Sequence, residues 1–130
     1  MEDYIAYQGE IYQIEFYYTE KGRCQPREYM LEKFTGSDAK KFAHLLMMMG
    51  DTGQIRNEQK FRNEGDRIFT FKPQPHRFLC FFFEKGKIII TNAFMKKQQK
   101  LPKAEKERAL RCKQDYEERN RKGTYYGKEK

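Results

Sequence analysis

Three short apolar segments follow one another closely in the second half of the chain, and their spacing leaves few ways to fold. They run from Ile68 to Lys72, from Arg77 to Glu84 and from Lys87 to Phe94. All three are rich in the β-branched and aromatic residues that strands favour. Pro73-Gln74-Pro75-His76 is a rigid connection that cannot continue a strand ladder, and Lys85-Gly86 is a short turn typical of antiparallel hairpins. These segments therefore predict a three-stranded antiparallel meander.

The first half of the chain predicts one strand and a helical hairpin. Apolar residues alternate from Ile11 to Tyr18, which indicates the strand. Pro26 suits the start of a helix that Gly36 can end. Ser37 can then cap a second helix, in which apolar residues recur at helical spacing until Gly50 ends it.

The last segment predicts a long charged helix from Pro102 to about Arg119 and a disordered basic tail over 121–130. The polar stretch from Gly53 to Asp66 predicts no element. The predicted order is β-α-α-β-β-β-α in a single domain over residues 1–120, because a chain of 130 residues is about one ordinary domain. We expect an α+β fold with a small antiparallel-rich sheet, packed by the N-terminal helical hairpin and the C-terminal helix.

Positive charge is concentrated near the end of the chain. Residues 1–95 hold 14 Lys/Arg against 13 Asp/Glu, whereas residues 96–130 hold 13 against 6. Such a field attracts polyanions, and RNA or DNA is the commonest polyanionic partner. An acidic protein or a membrane surface would respond to the same field, and a solvated basic tail is the remaining alternative.

Cysteine and histidine patterns support neither a disulfide framework nor a metal site. Cys24, Cys80 and Cys112 are odd in number and lack Cys-x-x-Cys spacing, which favours structural thiols. His44 and His76 have no ligand-like neighbours, so we expect no metal and no small-molecule cofactor. No apolar run approaches the roughly 20 residues of a membrane span, and an acidic start differs from a secretory signal, which together predict a cytoplasmic protein with no membrane partner.

The link between the last strand and the last helix carries a specific motif, AFMKKQQKLPKAE, from Ala93 to Glu105. It resembles the phage-derived toxin-like branch of the RelE/HigB superfamily of type II toxin-antitoxin toxins. That branch shows an apolar residue and Phe, x-Lys-Lys, two polar residues, Lys-x-Pro and a charged helix. Its Leu-Arg and Tyr-Arg pairs at successive strand ends correspond to Phe71-Lys72 and His76-Arg77. The resemblance covers about residues 10–119, but Thr70 stands where the family usually has Glu.

The resemblance implies a RelE/ParE-like fold and metal-independent, ribosome-dependent cleavage of messenger RNA, the activity of an mRNA interferase. Cleavage through the RNA 2′-hydroxyl requires a base, positive charge around the pentavalent phosphorane and an acid for the departing 5′-oxygen. Clustered cations favour a lysine base, because each charge lowers the pKa of its neighbour.

The catalytic roles that the resemblance implies fall on four cations. Arg77 would bind the scissile phosphate, Lys96 or Lys97 would act as charge stabiliser or base, and Lys72 would act as a second phosphate contact or base. His76 is open between an acid or RNA contact and a residue that shapes the turn. RNA-backbone contacts are expected from four further cations: Lys100, Lys103, Arg108 and Arg111. Tyr125 and Tyr126 could stack on bases or belong to the frayed tail.

The implied partners are messenger RNA on the ribosome and a cognate helix-turn-helix antitoxin. Three alternatives remain at this stage. The chain could be a non-catalytic module that binds RNA, DNA or an antitoxin, or a protein-interaction domain whose partner covers Phe81 to Phe83 and the methionines. Poisoning of gyrase, known in sister families of the fold, also remains open because a fold does not fix its target.

Overall fold

The computed structural model describes residues 4–126 as one six-stranded sheet and three helices. The elements in chain order are β1 (Ile5–Gln8), β2 (Gln13–Phe16), α1 (Gln25–Lys33), α2 (Gly36–Thr52), β3 (Phe61–Gly65), β4 (Ile68–Phe71), β5 (His76–Phe83), β6 (Lys87–Met95) and α3 (Lys103–Arg121). The α+β class is confirmed, and the order contains two strands more than predicted. None of the helices in the described part of the chain has the length and hydropathy that a membrane span requires.

The predicted meander is confirmed, with every strand end within one residue of its predicted position. The strand order across the sheet is β1-β2-β6-β5-β4-β3, so the meander supplies its middle. Neighbouring strands are antiparallel except β2 and β6, which pair in parallel. The β5–β6 hairpin is the longest pairing, and β2 and β4 pair with its two sides.

The sequence missed β3 and β1, one at each edge of the sheet. β3 joins β4 through a two-residue turn, in which Asp66 and Arg67 both have positive φ, 54° and 67°. Two positive φ values are the geometry of the tight turns that connect antiparallel strands. Only Phe61 of β3 is buried, so the strand lacks the alternation that reveals a half-buried strand.

The two N-terminal helices are confirmed, but three of their predicted ends were wrong. The first helix, α1, ends at Lys33, so Gly36, which was predicted to end it, is instead the first residue of α2. Pro26 lies in the first turn of α1, as predicted. α2 begins at Gly36 and is capped by Thr35 rather than Ser37, because the Thr35 hydroxyl accepts the Asp38 amide and the Asp38 carboxylate accepts the Thr35 amide. The helix continues past Gly50 and ends at Gly53, whose left-handed conformation (φ 84°) closes it.

Hydrophobic side chains fill both faces of the sheet. On one face, Phe78 of β5 stacks on Phe42 of α2 with ring centroids 4.0 Å apart. On the other face, Phe81 of β5 packs against Tyr116 of α3, which is fully buried together with Ala109. The sheet is therefore the middle layer between the helical hairpin and α3.

The predicted disordered tail needs correction over the residues that are described. Tyr125 is only 3% exposed, and its hydroxyl accepts the backbone amide of Tyr18. Arg119 reinforces the contact by donating to the Tyr18 carbonyl at 2.6 Å. The chain after α3 therefore folds back onto the end of β2, since aromatic burial outweighs the basic composition; residues 127–130 lie outside the described part.

A glycine pair fixes the β1–β2 hairpin against α2 and provides a test of this packing. The Gly50 carbonyl accepts the amides of Ile11 and Tyr12, and a Cβ at Gly9 would overlap the Gly50 backbone. We expect Gly9→Ala to lower the free energy of unfolding by about 2 kcal/mol or more, because the backbones must separate. Urea denaturation measures this effect.

Gly36→Ala is the matched control, since a Cβ at Gly36 meets nothing within 4 Å and the residue begins α2. It should leave stability unchanged or raise it by up to about 1 kcal/mol. Equal stability of the two variants would contradict the close approach of Gly9 and Gly50.

Candidate nucleic-acid interface

One end of the sheet extends beyond α3 and forms an open polar groove, here called the sheet groove. The helix starts only at Lys103, so it covers β5 and β6 near Phe81 and does not extend over the end of β5 that carries Arg77. The groove encloses about 720 Å³. Eight cationic and two acidic residues line it: Arg62, Lys72, Arg77, Lys96, Lys97, Lys100, Lys103 and Lys106, with Glu58 and Glu64.

The structure brings together all four residues that were predicted as catalytic. Lys72 follows β4, Arg77 lies on β5, and Lys96 and Lys97 follow β6. The Lys96 amide donates to the Pro75 carbonyl at 2.9 Å, which fixes the start of the loop beside the β4–β5 turn. Two of the predicted RNA contacts, Lys100 and Lys103, line the same groove; His76, Arg108 and Arg111 do not.

Arg77 is a buried cation of the sheet groove that two hydrogen bonds hold in place. Its side chain is 8% exposed, and Nη1 donates to the Gln74 side-chain oxygen at 3.2 Å and to the His76 carbonyl at 3.0 Å. Burial lowers the pKa of Arg77, against the opposing effect of Glu64, but a guanidinium stays charged in proteins. Arg77 therefore presents a fixed positive charge whose remaining donors suit a phosphate.

Lys72 is a second cation of the sheet groove whose charged form is disfavoured. Burial is the main cause of its lowered pKa, followed by repulsion from Arg77, while Glu64 acts in the opposite direction. Its Nζ donates to the Glu58 carbonyl at 3.0 Å, which anchors the side chain at the floor of the groove. A lysine with a lowered pKa is neutral more often at a given pH, and only the neutral amine can accept a proton.

Glu64 is a groove residue that sequence reasoning missed. It lies on β3 and accepts the Thr70 hydroxyl at 2.7 Å. A carboxylate therefore sits beside position 70, where the resembling family usually carries Glu, but it comes from the neighbouring strand. The alternation of Arg62 and Glu64 with Phe61 was the available signal, and it was too short to predict β3.

His76 lies on the opposite face of the sheet from Arg77. It is 2% exposed, its Nδ1 lies 2.6 Å from the Tyr29 hydroxyl, and its Nε2 lies 3.1 Å from the Asp38 carboxylate. These contacts tie β5 to both N-terminal helices. The structure thus favours a structural role for His76 over the RNA-binding role, because successive strand residues point to opposite faces.

Arg108 and Arg111 line a separate shallow pocket on the flank of α3. Cys112 lies there as well, and burial raises the pKa of its thiol to about 11, so it is a poor nucleophile at neutral pH. Cys24, Cys80 and Cys112 are all free thiols, as predicted.

Comparison with known proteins supports the resemblance in part. Residues 30–114 match the model of a family described as phage-derived protein Gp49-like (DUF891). The match begins within α1 and extends into α3, so it includes the strands and the loop that build the sheet groove. No curated protein is significantly similar to the sequence.

The electrostatics of Lys72 can be tested by single substitutions around it. Arg77→Gln should raise the Lys72 pKa because a repulsive charge is removed, and Glu64→Gln should lower it further because an attractive charge is removed. NMR titration of ¹³C-methylated lysines measures both shifts. Arg121→Gln, at the far end of α3, should leave the Lys72 pKa unchanged, and equal effects from all three variants would contradict local coupling in the groove.

Proposed function

Since the chain belongs to the Gp49-like family of phage-derived proteins, a RelE/HigB-type toxin-like family of toxin-antitoxin systems, we propose that it cleaves messenger RNA on the ribosome. The observation that carries this proposal is the convergence of Lys72, Arg77, Lys96 and Lys97 on one open groove. Those residues come from three separate parts of the chain, and chemistry on a phosphodiester requires such clustered positive charge.

RNA carries its own nucleophile, so the protein has to supply a base and positive charge and then an acid. In our proposal Lys72 takes the proton of the 2′-hydroxyl, because burial and then the charge of Arg77 disfavour its charged form. The 2′-oxygen then forms a bond to phosphorus as the bond to the 5′-oxygen breaks. The products are a 2′,3′-cyclic phosphate and a 5′-hydroxyl end.

The remaining cations stabilise the charge that develops on phosphorus. Arg77 is held in place by its own turn and is directed at a non-bridging oxygen, where a fixed donor costs no reorganisation. Lys96 is half-buried and Lys97 exposed on the loop that closes the groove, so one of them can protonate the departing 5′-oxygen. Lysine and arginine can supply this chemistry without a metal ion.

The partners follow from the same surface. A toxin-like family pairs with an antitoxin, and we propose that a helix-turn-helix antitoxin covers the sheet groove with acidic side chains. Ribosome dependence fits a groove that is open to solvent, since a messenger strand presented by the ribosome can enter from the side. The proposed site of action is the cytoplasm.

A charge-removal variant tests the proposal in a bacterial host. Inducible wild-type protein should arrest growth and create new messenger-RNA 5′ ends in the reading frame, whereas the triple variant Arg77→Ala, Lys96→Ala, Lys97→Ala should do neither. The triple variant Arg121→Ala, Lys21→Ala, Lys85→Ala removes the same charge outside the groove and should behave as wild type. Growth curves and 5′-end sequencing measure both effects.

If folded wild-type protein is expressed without harm to the host, the proposal of nuclease activity is contradicted. In that case retained RNA binding without cleavage would favour the non-catalytic binding module, which the replacement of the family Glu by Thr70 also favours. New 5′ ends that appear only when ribosomes are added to the purified protein would support ribosome dependence. Unchanged cleavage after the protein alone has been treated with EDTA and desalted would support metal independence.

The pH profile tests the role of Lys72 separately. If Lys72 is the base, kcat/KM should rise with pH as its ammonium loses a proton, and the lowered pKa places this rise below the range of an ordinary lysine. Lys72→Arg keeps the charge but cannot deprotonate, so it should remove the rising limb and most of the activity. A variant that keeps both would show that another group takes the proton, and Glu64→Gln would then be the next variant to assay.

A further inference from the structure

A second cationic surface lies on the other side of the β4–β5 turn from the sheet groove. This surface, here called the helix cleft, lies between α2, the segment before β3 and the turn, and it encloses about 780 Å³. Three lysines occur in it and not in the sheet groove: Lys40 and Lys41 on α2, and Lys60 just before β3. The cleft therefore brings together cations from a region whose overall charge is nearly balanced.

The lysines of the helix cleft have no acidic partners among the described residues. Lys40, Lys41 and Lys60 are all exposed, and no carboxylate in residues 4–126 lies within ion-pair distance of them. Lys41 Nζ donates to the Gln74 carbonyl at 3.2 Å, which holds it against the turn. Other exposed lysines, such as Lys21 and Lys33, also lie outside the ion pairs, so the distinguishing feature is the grouping of three unpaired lysines in one cleft. An unpaired group of cations is the electrostatic pattern of a polyanion site.

The sheet groove and the helix cleft form one continuous surface. Lys72, Gln74 and Lys96 line both of them, so the cations run from the loop before α3, over the β4–β5 turn, to α2. An RNA strand whose phosphate is bound by Arg77 must leave the sheet groove, and the helix cleft provides an exit that is lined with cations. Exposed His44 adds a ring that can stack on an unpaired base, and the amides of Asn57 and Gln59 add hydrogen-bonding groups.

We propose that the helix cleft binds the single-stranded RNA that flanks the scissile phosphate, with Lys40, Lys41 and Lys60 contacting its backbone. This inference rests on the proposed function for the position of the scissile phosphate. It assigns substrate binding to three lysines of the N-terminal half, outside the basic C-terminal segment. Because lysine contacts with phosphate carry no sequence information, the cleft adds affinity and fixes the direction of the strand.

Binding of uncleavable RNA tests the inference without requiring activity. The probe is a fluorescent single-stranded oligonucleotide with 2′-deoxy substitutions, and anisotropy gives its affinity over a series of salt concentrations. The variant Lys40→Gln, Lys41→Gln, Lys60→Gln should bind more weakly, and the slope of log K against log salt should become shallower by about 2, as expected for three lost phosphate contacts on a single strand. The control variant Lys21→Gln, Lys33→Gln, Lys85→Gln removes three exposed lysines outside the sheet groove and the helix cleft. Its affinity and its salt slope should match those of wild type.

The outcomes separate this inference from the proposed function. If wild type binds RNA but the cleft variant matches the control, the cleft inference is overturned and the nuclease proposal stands. If wild type shows no salt-dependent RNA binding, the cleft inference is overturned, whereas the nuclease proposal is decided separately by the 5′-end assay. If an acidic peptide binds wild type through the same three lysines and RNA does not, the cleft is a protein-docking surface and the inference is also overturned. Circular dichroism verifies that the variants are folded.

Discussion

The pairing of β5 with β6 is the constraint on which the rest of the structure depends. Both strands are buried on both faces, so each has to supply apolar side chains to the helical hairpin on one side and to α3 on the other. A strand covered on both faces cannot slip by one residue without moving every side chain to the wrong layer. This fixed register places Arg77 opposite Phe94, at the uncovered end of the α3 face.

A β-bulge in the same hairpin determines how the loop and α3 leave the sheet. Leu79 pairs with Asn92 whereas Cys80 pairs with Ile90, so Thr91 is one extra residue on β6. The bulge turns Asn92 toward α3, and its amide donates to the Glu105 side chain at 2.9 Å and to the Glu105 carbonyl at 3.2 Å. The first turn of α3 is thereby attached to the sheet, and the loop that carries Lys96 and Lys97 spans the end of the groove.

Local sequence patterns predicted those elements whose own residues reveal their environment. The meander consists of apolar runs bounded by turn residues, and Pro102 marks the start of the charged helix α3; these elements were predicted to within about two residues. The Lys-Lys motif marked the loop that lines the candidate site. β3 was not predicted because its main stabilising interaction is its pairing with β4, and Phe61 is its only buried residue. With β3 undetected, Glu64 and Arg62 could not be placed in the groove. The two alternatives for His76 could not be separated from the sequence, which placed it in the turn; the structure places it on β5, where successive residues point to opposite faces.

The fold holds cations together at a cost to its own stability. Burial and repulsion from Arg77 lower the pKa of Lys72, and in the free protein the same interactions oppose folding while Lys72 is charged. A phosphate in the groove, or the carboxylates of an antitoxin, would reverse this penalty, because each replaces repulsion by attraction. A ligand that binds only the folded chain also stabilises it by mass action. The charge arrangement that supports the proposed chemistry thus disfavours the charged form of Lys72 in the free groove, and the binding of a polyanionic partner would remove this penalty.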